Sequence, residues 1–183
     1  MKSFVKSIIA VAAALAIAAP VYAQTPSNPS AYGQIDLGAA QPSGNLGEQL
    51  VIGARGGLVF NKWFAADLSL SQGFMLPATW LGGVNSTEFK LTPYLQLPLA
   101  PSVKFIAGPQ IGVAMLSGPA STNTMVGTYG ATAAFVFDTG WNRLQIVPQY
   151  EYTRSMQPGV ITGPGYTDYY NNSKFTMGLR KQF

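Results

Sequence analysis

The feature that most constrains this chain is an alternation of apolar and polar residues with a period of two. Such alternation is typical of β-strands with one apolar face, and no segment after residue 23 shows the 3.6-residue period of a helix. Eight alternating segments can be delimited. They are Ala31–Ala39, Gln49–Phe60, Trp63–Gly73, Thr87–Leu97, Val103–Met115, Met125–Phe137, Arg143–Thr153 and Ser173–Phe183. The sequence therefore predicts an all-β fold.

The connections between these segments alternate between short and long. Short turn signals lie at 61–62, 98–102 and 138–140, and longer polar or Gly/Pro-rich stretches lie at 40–48, 74–86, 116–124 and 154–172. Short turns at one end and long loops at the other are typical of membrane barrels. We therefore predict an eight-stranded antiparallel up-and-down transmembrane β-barrel.

Three predicted strands contain a proline, which removes a ladder donor and is expected at an interruption or a bulge. These prolines are Pro93, Pro109 and Pro148.

The N-terminus has the pattern of a cleavable export signal. Lys2 and Lys6 precede an apolar run from Ile8 to Ala19, and Val21-Tyr22-Ala23 supplies the small residues of a cleavage site. Twelve apolar residues are too few for a transmembrane helix, which needs about 20. We therefore predict a signal peptide at 1–23, a flexible lead at 24–30 and a barrel domain at 31–183.

The composition narrows the classes of function. Removal of residues 1–23 leaves nine basic and seven acidic side chains, a net charge of +2. The charged fraction of 10% is low against about 25% for soluble domains. A net charge of +2 also argues against a nucleic-acid partner. The chain has no Cys and no His, which excludes disulfides and removes the most common general base and metal ligand.

The alternation divides the strand residues into an apolar set and a polar set. A lipid-facing Lys or Arg at the bilayer midplane costs about 2–4 kcal/mol, so a membrane barrel turns its charges inward. An eight-stranded barrel has an interior just wide enough for side chains to fill. We therefore predict a lumen filled by nearly balanced ions, with Arg55 and Asp67 near mid-depth and Lys104 and Arg143 near the short turns. The predicted lumen charges are Asp36, Arg55, Asp67, Glu88, Lys90, Lys104, Arg143, Glu151, Lys174 and Arg180.

Aromatic residues gather at the two ends of the predicted strands, as expected for belts at two bilayer interfaces. The short-turn group comprises Phe60, Trp63, Phe64, Phe137, Trp141 and Phe183. The long-loop group comprises Phe74, Trp80, Phe89, Tyr129, Tyr152 and Phe175.

The last segment, from Lys174 to Phe183, resembles the C-terminal assembly signal of outer-membrane barrel proteins. Alternating apolar residues end in an aromatic one, at Phe175, Met177, Leu179 and Phe183, and Lys181 departs from that pattern. The chain resembles the small class typified by the OmpA transmembrane domain and OmpX. The resemblance implies an outer membrane of the Gram-negative type, contact with outer-membrane lipid and recognition by the barrel-insertion machinery.

Small outer-membrane barrels that are enzymes resemble one another in using a His beside a Ser or Asp. This chain has no His, and it carries no phosphate-cradling loop, calcium loop or metal-ligand spacing. We therefore predict a non-enzymatic protein without a cofactor or a metal.

Two classes of function remain, together with one alternative for the fold. The first is a structural scaffold whose extracellular loops contact a ligand, with Arg154, Tyr166, Tyr169 and Tyr170 as candidate loop contacts. The second is a narrow, charge-lined channel for small solutes or ions. The alternative fold is a soluble exported β-barrel or sandwich, with its apolar set inside, that acts as a binding protein.

Overall fold

The computed structural model describes residues 29–42, 47–76, 84–118, 125–163 and 166–183. The predicted signal peptide and most of the predicted lead lie outside these residues, and no helix within them is long and apolar enough to cross a membrane. The strands are β1 (Ser30–Pro42), β2 (Gln49–Val59), β3 (Phe64–Met75), β4 (Asn85–Ala100), β5 (Val103–Ser117), β6 (Met125–Asp138), β7 (Leu144–Ser155), β8 (Ile161–Gly163), β9 (Tyr166–Asp168) and β10 (Asn171–Gln182).

In this described part of the chain, all strands except β8 and β9 form one closed antiparallel barrel, in the order β1-β10-β7-β6-β5-β4-β3-β2. The first and last strands close it, from Tyr32 opposite Gln182 to Pro42 opposite Asn172. The prediction of an eight-stranded antiparallel barrel is confirmed. Each predicted segment lies on one of the eight strands, with its ends within three residues of those observed.

Hydrogen bonds from backbone amides to side chains stabilise two of the short turns. Oδ1 of Asn61 accepts hydrogen bonds from the backbone amides of Trp63 (2.8 Å) and Phe64 (2.9 Å). In the β6–β7 turn, Oδ1 of Asp138 accepts from the amide of Gly140 at 2.9 Å, and Asn142 and Arg143 both have positive φ. Asn and Asp favour turns because their side chains bond to nearby backbone amides in this way.

The three strand prolines interrupt the ladders without shifting the register. The β4–β5 ladder stops after Leu91 opposite Ile111 and resumes at Leu95 opposite Ala107, so Pro93 and Pro109 face each other in the gap. Pro148 lies in a similar gap between β6 and β7. The expectation of bulges at these prolines is wrong, because each ladder keeps one register across its gap. The irregularity between β4 and β5 lies instead at Pro98 and Ala100.

The apolar residues of the alternating pattern face outward. Ile35 is 64% exposed and Leu179 is 53% exposed, and exposed and buried residues alternate along β10. Both predicted aromatic groups lie on this outer surface, apart from Phe183, which is half-buried, and Trp80, which lies outside the described residues.

The short hairpin of β8 and β9 was not predicted. It lies within the 154–172 connection, after β7.

Candidate functional site

The lumen holds eight of the ten predicted charges, and each is buried. Strand parity places them, because alternate residues of every strand point inward. Four are acids, Asp36, Asp67, Glu88 and Glu151, and four are bases, Arg55, Lys90, Lys174 and Arg180. Formal charge in the lumen therefore balances.

Arg55, on β2, is at the centre of the first group of ion pairs. Its Nε lies 2.6 Å from Oδ2 of Asp36 on the adjacent β1, and its Nη1 lies 3.9 Å from Oδ2 of Asp67 on β3. Its Nη2 pairs with Oε1 of Glu151 on β7. The guanidinium thus connects neighbouring strands with one on the far side of the barrel. Its planar fork of five donors suits it to several carboxylates at once.

The second group continues from Glu151 toward the long-loop end. Nζ of Lys90 lies 2.8 Å from Oε2 of Glu151 and 2.6 Å from Oε2 of Glu88. Nζ of Lys174, on β10, lies 2.8 Å from the same oxygen of Glu88 and donates to Ser71 at 2.9 Å. The ion pairs therefore form one chain of contacts from Asp36 to Lys174.

Neutral side chains complete the network, and two of them, Tyr32 and Tyr94, were not predicted from the sequence. The hydroxyls of Tyr32 and Tyr94 donate to Oδ2 of Asp67 at 3.0 and 2.8 Å. Arg180 lies 4.0 Å from the centre of the Tyr32 ring and donates to Gln34 at 2.7 Å. Both tyrosines lie at inward-facing positions of their strands. This parity is the feature of the sequence that could have identified them as lumen residues.

Apolar clusters, which were not predicted from the sequence, lie in the lumen above and below the ions. The cluster toward the short turns contains Ala65, Tyr94, Ile106, Ala134, Val136 and Val147. The cluster toward the long loops contains Val84, Ala114, Leu116, Val126, Val160 and Tyr170. The lumen is therefore layered rather than ionic throughout.

Two predicted lumen charges need correction. Arg143 is exposed in the β6–β7 turn, because the strand begins only at Leu144 and strand parity does not extend into the turn. Lys104 has the inward parity but lies at the foot of β5, half-buried, below the ions. It has no acidic partner within 4 Å among the described residues.

The candidate loop contacts separate into two groups. Tyr170 is not available at the surface: it is completely buried, and its hydroxyl donates to Oε1 of Glu88 at 3.0 Å. Arg154 and Tyr169 meet at the loop end, with the guanidinium carbon 4.2 Å from the centre of the ring. Tyr166 lies in β9, and its side chain is outside the described residues.

The residues of the predicted assembly signal lie at the outer surface of the last strand. Phe175, Met177 and Leu179 are exposed. Phe183 follows the end of β10, and its amide donates to the carbonyl of Ala31 at 2.8 Å.

Within the described ranges, no group of three or more acidic side chains is arranged to hold a metal ion.

Comparison with known proteins supports the fold. No protein-family model and no curated protein matches the chain. The crystal structure of Neisserial surface protein A superimposes with a TM-score of 0.69 at 14% identity, covering 84% of this chain and 97% of that one. The chain has the fold of a small outer-membrane β-barrel.

Two further solved structures are similar to this chain. A de novo designed transmembrane β-barrel gives a TM-score of 0.50 at 11% identity and covers 87% of this chain and 98% of its own. The attachment invasion locus protein of Yersinia pestis gives a TM-score of 0.47 at 12% identity, covering 84% and 99%. The resemblance to small outer-membrane barrels that the sequence indicated is confirmed at the level of fold.

Proposed function

We propose that this chain is an integral outer-membrane β-barrel with a sealed lumen, without enzymatic activity, that acts as a structural and surface-interaction scaffold through its long loops. The observation that carries the proposal is the burial of the lumen charges, each of which is at most 4% exposed. A water-filled path through the barrel would leave such charges accessible. The apolar clusters on both sides of the ions support the same conclusion.

The outer surface supports insertion in a bilayer. Large apolar side chains on every strand of the barrel wall are exposed, including Leu37, Ile52, Leu91 and Met177. Exposed apolar surface of this extent marks an interaction site in a soluble protein and the lipid-facing band in a membrane barrel. The soluble alternative would place this set inside the barrel.

The long-loop end is the proposed contact surface. Binding residues are often carried on loops that a rigid scaffold positions. Here the β8–β9 hairpin follows β7, and Arg154 at the end of β7 contacts the ring of Tyr169. An aromatic ring with a guanidinium beside it offers both an apolar face and a charged donor to an extracellular ligand.

The test measures the cellular location of the protein and the conductance of the purified barrel. Cells that express the chain are fractionated, and outer-membrane samples are run on a gel with and without boiling. We expect a compact, faster-migrating band in the unboiled sample, and planar bilayers containing the purified barrel should show no steady single-channel current. A steady current would favour the narrow-channel alternative, and recovery in the soluble periplasmic fraction would favour the soluble one.

A further inference from the structure

The charges outside the lumen are distributed unequally between the two ends of the barrel. Sixteen charged residues follow residue 28, and the undescribed internal segments contain none of them. Eight lie in the lumen and balance. The short-turn end carries Lys62, Lys104, Arg143, Lys181 and one acid, Asp138, whereas the long-loop end carries Glu48, Arg154 and Asp168. The net charge of the side chains is therefore +3 at the short-turn end and −1 at the long-loop end.

Three exposed cations lie around the foot of the barrel. Lys62 lies in the β2–β3 turn, Arg143 in the β6–β7 turn and Lys181 near the end of β10. The fourth cation of this end, Lys104, is half-buried and has the inward parity of β5. No acid lies within 4 Å of any of the three exposed cations in the described part of the chain. We call Lys62, Arg143 and Lys181 the basic rim.

Aromatic residues place the basic rim at the level of lipid headgroups. Trp63 and Trp141 are exposed in the same turns, and the ammonium of Lys62 lies 5.3 Å from the centre of the Trp63 ring. Tryptophan concentrates at the membrane interface, where headgroups lie, and Lys or Arg close to an anionic surface is attracted to it. We propose that the basic rim binds the phosphate groups of anionic phospholipids in the leaflet around the short turns, an inference that rests on the proposed membrane insertion.

Tryptophan fluorescence provides the test. A Trp80→Phe variant keeps only Trp63 and Trp141, so its emission reports on lipid at the short-turn end. The variant is reconstituted in phosphatidylcholine vesicles that contain phosphatidylglycerol, with brominated chains on one lipid or the other as quencher. We expect the association constant for phosphatidylglycerol to exceed that for phosphatidylcholine by about fivefold, the effect of one cation near the surface. The preference should disappear in 1 M salt, because salt screens exposed charges.

The matched variants separate the basic rim from charge elsewhere. In the Trp80→Phe background, replacement of all three rim cations by Gln should reduce the ratio of the two association constants to about 1. Glu48→Gln, which changes the charge at the opposite end, should leave the ratio at about fivefold. If the triple variant does not fold, the double variant Lys62→Gln with Lys181→Gln replaces it and should reduce the ratio by at least half.

The proposal would be overturned if the ratio of the two association constants is near 1 in the Trp80→Phe variant. It would also be overturned if the rim variants leave that ratio unchanged. Cosedimentation with peptidoglycan through the same three residues, without a lipid preference, would overturn it as well. Heat-modifiability on a gel is recorded for every sample. An inserted barrel without lipid preference contradicts only this inference, whereas failure to insert contradicts the proposed function.

Discussion

The ammonium of Lys90, on β4, lies 2.8 Å from Oε2 of Glu151, on β7, although β5 and β6 separate these two strands in the barrel wall. The contact therefore crosses the lumen. Both side chains are buried, and Glu151 also pairs with Arg55. Removal of one member of such a network leaves buried charge without compensation, which is more costly than the absence of the whole pair.

The first prediction concerns Glu151. Glu151→Gln should lower the free energy of unfolding by about 3–5 kcal/mol, because Arg55 and Lys90 lose a shared carboxylate. Urea unfolding followed by the gel shift of the folded barrel measures the change. Glu48→Gln is the control, since Glu48 is exposed at the loop end, and should change stability by less than about 0.5 kcal/mol.

The double variant Glu151→Gln with Lys90→Gln tests the pair itself. If the contact across the lumen is real, the double variant should lose less stability than the sum of the two single losses. Additive losses would mean that the two charges are stabilised separately and would contradict the pairing.

The sequence predicted the strands and their faces because both depend on local alternation. Ile52 and Arg55 lie on β2 with opposite orientations, and their order along the strand is sufficient to assign each to its face. The contact between Lys90 and Glu151 was not predictable in this way. It depends on how the barrel closes and on how far the strands are staggered, and neither property is visible in the pattern of one strand.

Two other residues show where local alternation stops being informative. Arg143 matches the inward parity of β7 but lies in the preceding turn, where left-handed backbone conformations break the alternation. Tyr170 lies in a long connection without a clear period, and it turns back into the lumen because Glu88 and Asn172 provide partners there. Both misplacements arise at the ends of strands.

The second prediction concerns Gly178, on the lumen side of β10. A Cβ atom there would lie 2.5 Å from Nε2 of Gln34 and 2.6 Å from Oδ1 of Asp36, two atoms that are themselves hydrogen-bonded at 2.6 Å. Gly178→Ala should therefore lower the free energy of unfolding by about 1–3 kcal/mol through overpacking. Gly33→Ala is the matched control, because a Cβ at Gly33 would approach only the Phe183 ring, at 3.9 Å. Equal effects of the two substitutions would contradict a packed lumen at this level.

The third prediction concerns the apolar cluster at the loop end. Tyr170→Ala should lower the free energy of unfolding by about 3–5 kcal/mol, as loss of a buried aromatic ring usually does. It should also produce a small steady current in planar bilayers. Tyr169→Ala removes the stacking on Arg154, and we expect a loss of about 0.5–1 kcal/mol without current. If Tyr170→Ala is as stable as the unchanged chain, Tyr170 does not seal the lumen.

The fourth prediction concerns assembly. Deletion of Phe183 should slow insertion and reduce the amount of folded barrel in the outer membrane, because the resemblance to outer-membrane barrels implies that the terminal aromatic is recognised. Pulse labelling followed by the gel shift measures the rate, and Lys181→Leu, which restores the apolar pattern, should insert at least as fast as the unchanged chain. A normal rate and yield after deletion would contradict recognition of Phe183.

The most direct test of the account compares two adjacent residues of β7 that face opposite ways. Ile146 is 42% exposed on the outer wall, and Gln145 is 5% exposed in the lumen. Each is replaced by Cys, spin-labelled and reconstituted in a bilayer, and collision rates with oxygen and with a water-soluble nickel complex are recorded. We expect frequent collisions with oxygen and few with nickel at position 146, and few collisions with either at position 145. A water-exposed label at position 146, or a lipid-exposed label at position 145, would contradict a barrel that faces lipid with its apolar side and seals its charges inside.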